Sequence, residues 1–152
     1  FNNGVEQFKK IQDDSENKIK HLDIAINHFK NAIIIKPSDG NTYTTLAKCY
    51  LDKGDNIKAK ESAINAVIKN PDSFDSNFSA GQILGRVGVP TLEIMPYYKK
   101  AVDIEPSNSK ALRELASVYY DIGERERSIE VFTNAIKNAA VGIGKLFNDI
   151  YQ

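Results

Sequence analysis

Cysteine occurs once, at Cys49, so the chain carries no internal disulfide framework. A lone thiol tips the reading towards a reducing, cytoplasmic compartment, although a periplasmic or secreted protein without disulfides has the same composition. Net charge is lacking as well: 20 lysines and arginines offset 20 aspartates and glutamates. Nucleic-acid binding draws on a basic excess, so this balance argues against a nucleic-acid partner. Long apolar runs are missing. The most conspicuous one, Ala32 to Ile35, is closed by Lys36 and Pro37. A spanning helix needs roughly 18 to 20 such residues, so no membrane insertion is expected. No signal peptide is visible.

The residues that carry chemistry are sparse too. His21 and His28 fall two turns apart on a helix, about 10 Å at the helical rise, too far to share a metal. Cys49 lies among Leu46, Ala47 and Tyr50, where it reads as a small buried hydrophobe with nothing near it to activate a thiolate. Gly142-Ile143-Gly144-Lys145 has a superficial likeness to a phosphate loop. A true one needs glycine where Ala139 stands, Ser or Thr where Leu146 stands, and a preceding strand. Asp13 and Asp14 belong to a helix cap rather than a cleft. The expectation is therefore a non-catalytic chain with no metal and no cofactor.

What the chain does have is a repeat. Its 152 residues, 41% hydrophobic, suit one compact domain. Pro37, Pro71 and Pro106 recur at steps of 34 and 35, and Ala140 takes the next slot after 34 more. Ala32, Ala66, Ala101 and Ala135 keep the same beat, as do Phe29, Ala63, Tyr98 and Phe132. Gly54, Gly88 and Gly123 recur likewise. Each is preceded by one apolar set: Leu46-Ala47 with Tyr50, Ala80-Gly81 with Leu84, and Leu115-Ala116 with Tyr119.

Each unit reads as a pair of helices, A and B. In the second unit, Tyr43, Leu46, Ala47 and Tyr50 have helical spacing over about Asn41 to Asp52. Gly54 supplies the left-handed residue that ends a helix. Ala59, Ala63 and Ala66 mark one face of a second helix over about Asn56 to Lys69, and Pro71 closes it. Ala47 and Ala59 lack bulk where the two helices cross, which lets the backbones approach.

A 34-residue helix–turn–helix unit with this order of slots (an aromatic, Leu-Gly/Ala, Tyr, Ala, Phe/Ala, Ala, a closing Pro) resembles the tetratricopeptide repeat. Residues 40–73, 74–108 and 109–142 match it best. The resemblance implies an all-α fold, an α-α superhelix of antiparallel helix pairs: seven or eight helices in an open right-handed stack. Residues 1–39 are expected to form a divergent first repeat. Its first helix would take in Phe1 to Phe8, followed by about nine extra residues near Gln12 to Lys20 and an extended second helix through Ile19, Leu22, Ile26, Phe29 and Ile33. The start at Phe1, partway into that first helix, leads the reading to expect a fragment or processed form with further repeats ahead. The one-residue insertion in 74–108, with Pro90 and Pro96, predicts an irregular turn after Gly88 and a shortened or kinked helix B. Gly142 and Gly144 allow a bend before residues 143–152, which read either as a capping helix or as the first helix of another unit, the cap being the plainer reading.

The resemblance also implies that helices A line a concave face. On it the reading places Thr44 and Lys48, then Phe78, Gln82 and Arg86, then Lys110, Arg113, Ser117 and Tyr120. Such a lining suits an extended peptide or protein segment, with Phe78 and Tyr120 as anchors and the arginines as carboxylate partners. Of the residues by which some co-chaperones of the family grip a terminal carboxylate, Lys110 fits, but Thr44, Lys48, Ser79 and Glu114 depart from the set, so binding to chaperone tails is not expected. The runner-up function is self-association, a scaffold that assembles through its terminal helices.

Overall fold

The computed structural model describes the backbone of residues 2–151 and the side chains of residues 17–141. Seven helices follow one another, with no strand among the described residues: α1 (Asn2–Ile35), α2 (Gly40–Lys53), α3 (Asn56–Lys69), α4 (Phe74–Arg86), α5 (Thr91–Ile104), α6 (Ser109–Asp121) and α7 (Arg125–Tyr151). Each packs on the next, and α2 also packs on α4. This is the all-α superhelical stack of helix pairs that the repeat predicted. No described helix is long and apolar enough to cross a membrane.

Local chemistry sets the helix ends. Asp39, Asp55, Ser73 and Asn108 cap α2, α3, α4 and α6, each accepting a hydrogen bond from an amide of the first turn. Three A helices end in the same way. Gly54, Gly88 and Gly123 take φ of 83°, 83° and 85°, where a β-carbon is strained. After each, the next amide reaches back five residues, from Asp55 to Tyr50, Val89 to Leu84 and Glu124 to Tyr119. This six-to-one bond satisfies a carbonyl that the helix end would leave orphaned.

The core lies where A and B helices cross. Ala47, Ala59, Ala101, Ala111 and Ala116 have no exposed surface, and Leu84 is nearly as buried. Gly81 takes the slot of Ala47 and Ala116, and the reason is visible. A β-carbon there would stand 2.7–3.0 Å from the ring of Tyr98, whose counterparts are Ala63 and Phe132. The smallest residue on helix A thus faces a large one on helix B. Gly81→Ala is expected to destabilise by about 1 kcal/mol, overpacking outweighing the gain in helix propensity. In a Tyr98→Ala background the same change becomes stabilising, since propensity alone remains. A double-mutant cycle on urea midpoints measures the coupling, and additive effects would refute the pairing.

Three local expectations are corrected. Residues 2–35 form one helix, not two separated by an insertion, and between Gly4 and Pro37 the chain has neither glycine nor proline to stop it. α5 is not shortened: at 14 residues it equals α3, and the extra residue is absorbed in the turn through Gly88, Val89 and Pro90. Pro96 lies inside α5. It removes the amide that would bond the carbonyl of Leu92. Pro96 is exposed and Leu92 is 64% exposed, so that carbonyl is on the wet side of the helix. Finally, α7 continues as one helix through Gly142 and Gly144 to Tyr151, so the tail is not a separate element. Glycine permits a bend without requiring one. The side chains of the expected cap, residues 143–152, and the acidic group at residues 13–16 lie outside the described side chains.

Candidate protein-binding cleft

On α2, Lys48, Leu51 and Asp52 follow helical spacing, and on α4 so do Ser79, Gln82, Ile83 and Arg86. Because α2 and α4 lie side by side, the two rows converge on one cleft of about 240 Å³. Ile83, 3% exposed, contributes its apolar floor. Lys48 and Arg86 are exposed on the rims, and neither forms an ion pair among the described residues. Asp52 opposes them, which leaves the lining one positive charge in excess.

The predicted groove residues divide. Lys48, Gln82 and Arg86 meet in this cleft. Thr44 is buried, and its hydroxyl donates to the Gly40 carbonyl at 3.1 Å. Phe78 is half-buried, stacked on Phe74 at 5.3 Å and edge-on to Tyr98 at 6.0 Å, so its ring serves the core. Lys110, Ser117 and Tyr120 are exposed on α6, which makes no contact with α4 comparable to that of α2 with α4. Arg113 lines a different groove, between α6 and α7. Ile83 was not singled out in the sequence. Its spacing of four from Ser79 was the signal that it also floors the cleft.

Two titrations are displaced nearby. Burial, with the charge of Asp52 added, pushes the Cys49 thiol above its ordinary range. Burial also raises the Tyr98 hydroxyl strongly; Glu114 adds to the rise and Arg86 opposes it. Both groups therefore stay protonated and act as packing residues. Among the described residues no three His, Cys, Asp or Glu side chains are grouped to hold a metal ion.

No family model matches the chain. A CTR9 homolog of Arabidopsis thaliana is 28% identical over 120 residues, covering 72% of this chain and 11% of that protein. Superkiller protein 3 of Schizosaccharomyces pombe is 27% identical over 137 residues, covering 82% and 10%. The chain thus spans about a tenth of the length of these relatives. Among solved structures, a crystal structure of MamA superposes with a TM-score of 0.71 at 18% identity, covering 90% of this chain and 87% of that one. A MamA RS-1 double mutant gives 0.70 at 15% identity, covering 81% and 68%. At such identities the likeness carries the fold alone.

Proposed function

We propose that this chain, a tetratricopeptide-type helical array, is a non-catalytic scaffold that holds an extended segment of a partner protein in the cleft between α2 and α4. The observation that carries this reading is the convergence of unpaired Lys48 and Arg86 over the apolar floor at Ile83 and Leu51. An aliphatic side chain of the segment fills the floor. A neighbouring carboxylate meets Arg86, whose planar guanidinium offers two-point hydrogen bonding, and Lys48 adds a point charge. Gln82 supplies both a donor and an acceptor to the segment's backbone.

A photocrosslinking residue placed at Gln82 in the native cell is expected to capture the partner. The same residue at Ile57, 82% exposed on α3, is expected not to. Reversing both charges (Lys48→Glu with Arg86→Glu) should weaken the captured partner's affinity by at least roughly tenfold. That follows from about 1.5–3 kcal/mol for a charge-assisted hydrogen bond. It should also flatten the dependence of binding on salt. Equal capture at both positions, or unchanged affinity after charge reversal, would remove the cleft as the site.

A further inference from the structure

A second groove, of about 330 Å³, opens between α1 and α3 along α2, and its walls include Ile33, Ile34, Leu46, Tyr50 and Ser62. These walls are three consecutive helices, α1 and α3 each packed on α2, so the groove lies within the array and not at an end of it. It shares no residue with the cleft between α2 and α4. At its base Leu46, Ser62 and Tyr50 are 5%, 6% and 7% exposed, whereas Ile34 on the rim is 77% exposed.

The same slot recurs along the stack, and there the chain fills it. Tyr97 is the counterpart of Ser62 in the next unit; half-buried, it packs on both core clusters. Val131 is the counterpart in the unit after, and it too packs on the core. The helix A residues beneath do not decide the filling. Ala80 and Leu84 accompany Tyr97, while Leu115 and Tyr119, the same pair as Leu46 and Tyr50, accompany Val131. In both units helix B lays an apolar side chain over helix A. At Ser62 it lays down only a hydroxymethyl group, and the groove is what remains.

The hydroxyl itself is the second observation. Buried Ser128 donates to the Ala116 carbonyl and buried Thr44 to the Gly40 carbonyl. Ser62 is as buried, yet it forms no hydrogen bond among the described residues. A buried polar atom left unmet carries a desolvation cost that a ligand can remove. The occupant that completes the site is apolar along its body and polar at its tip, because the tip reaches the base first. Tyrosine has that build. Phenylalanine would fill the walls and leave Ser62 unmet. On the rim, Lys30 of α1 and Glu61 of α3 are exposed, and neither forms an ion pair among the described residues. Together they offer a donor and an acceptor to the peptide groups beside a tyrosine, groups that a free phenol lacks.

We propose that the groove between α1 and α3 binds a partner protein through one tyrosine side chain, its ring against Ile33, Ile34 and Leu46 and its hydroxyl hydrogen-bonded to Ser62. The site does not depend on the cleft between α2 and α4.

The probes are N-acetyl-tyrosinamide and N-acetyl-phenylalaninamide, titrated into the whole chain and followed by amide NMR shifts. The tyrosine probe is expected to shift residues 30–34, 43–50 and 58–65 saturably. It should bind roughly fivefold more tightly than the phenylalanine probe, the effect of one neutral hydrogen bond. Ser62→Ala should erase that preference and leave the phenylalanine probe bound as before. Ser62→Tyr, which supplies a ring from within as Tyr97 does, should abolish binding of both probes. If that variant does not fold, the Ser62→Ala comparison decides alone. Absence of saturable shifts, shifts gathered in another part of the chain, or a tyrosine preference that survives Ser62→Ala would overturn the proposal. So would binding of p-cresol with exclusion of the capped tyrosine, which would assign the groove to a free phenol. A concentration-dependent dimer abolished by Ser62→Tyr would overturn it as well, assigning the groove to a second copy of the chain.

Discussion

Ala47→Leu is expected to destabilise the chain by roughly 1 to 3 kcal/mol, read as a lower urea midpoint at unchanged slope. The crossing of α2 and α3 is built from Ala47, Ala59 and Ala63, exposed by 0%, 0% and 2%. No space surrounds Ala47 for three further carbons. The leucine must leave its preferred rotamer or push the helices apart, and either response strips contact from Leu46 and Tyr50 as well. Ala116→Leu should behave alike at the crossing of α6 and α7, where Ser128 donates to the Ala116 carbonyl at 2.8 Å and ties the helices together. Lys48→Leu, one residue along and exposed, is the control and should stay within about 0.5 kcal/mol of the parent. An Ala47→Leu protein with the parent midpoint would put the crossing elsewhere.

The opposite sign is expected at Pro96. A proline inside a helix costs about 3 kcal/mol relative to alanine, through the lost amide and the ring's clash with the preceding turn. Alanine restores a donor for the Leu92 carbonyl. Pro96 is exposed, so little packing is lost with its ring. Greater freedom of the unfolded chain returns about 0.4–1 kcal/mol of the gain. The net expectation for Pro96→Ala is about 2 kcal/mol of added stability. For a chain of this length that is an increase in Tm of about 4 to 8 °C. The buried neighbours Ile94 and Tyr98 are untouched by the change. A variant no more stable than the parent would mean that α5 already relieves the proline by a local bend, and that the helix carries no cost there.

Much of the architecture was legible because it is written in local chemistry. Gly54, Gly88 and Gly123 announce a left-handed residue wherever they occur, and all three adopt one. Asp39, Asp55, Ser73 and Asn108 cap wherever a helix begins after them. The alanine slots identify crossings because only a small residue lets two backbones approach. The candidate site was legible in part. Lys48, Gln82 and Arg86, which the resemblance assigned to the concave face, line one cleft, whereas Thr44 and Phe78 turn inward.

The misreadings have one cause. Pro96, Gly142 and Gly144 were taken as interruptions on their local preferences. A helix of sufficient length carries such a residue through when its hydrogen bonds on either side outweigh the local loss. Conversely, the extra residues in 1–39 were given a separate element although no glycine or proline between Gly4 and Pro37 supplies a stop.

One slot separates the two kinds of information. Thr44, Phe78 and Arg113 occupy the same place in successive units, and the repeat alone identifies that equivalence. Their fates differ: Thr44 is buried, Phe78 half-buried and Arg113 exposed. Period, turns, caps and helix faces follow from sterics and hydrogen bonding within a few residues, so the sequence by itself determined them. Accessibility depends on whether the next helix lies across the slot and what side chain that helix brings. Only the tertiary stack decided that, and with it which polar groups are left free for a partner.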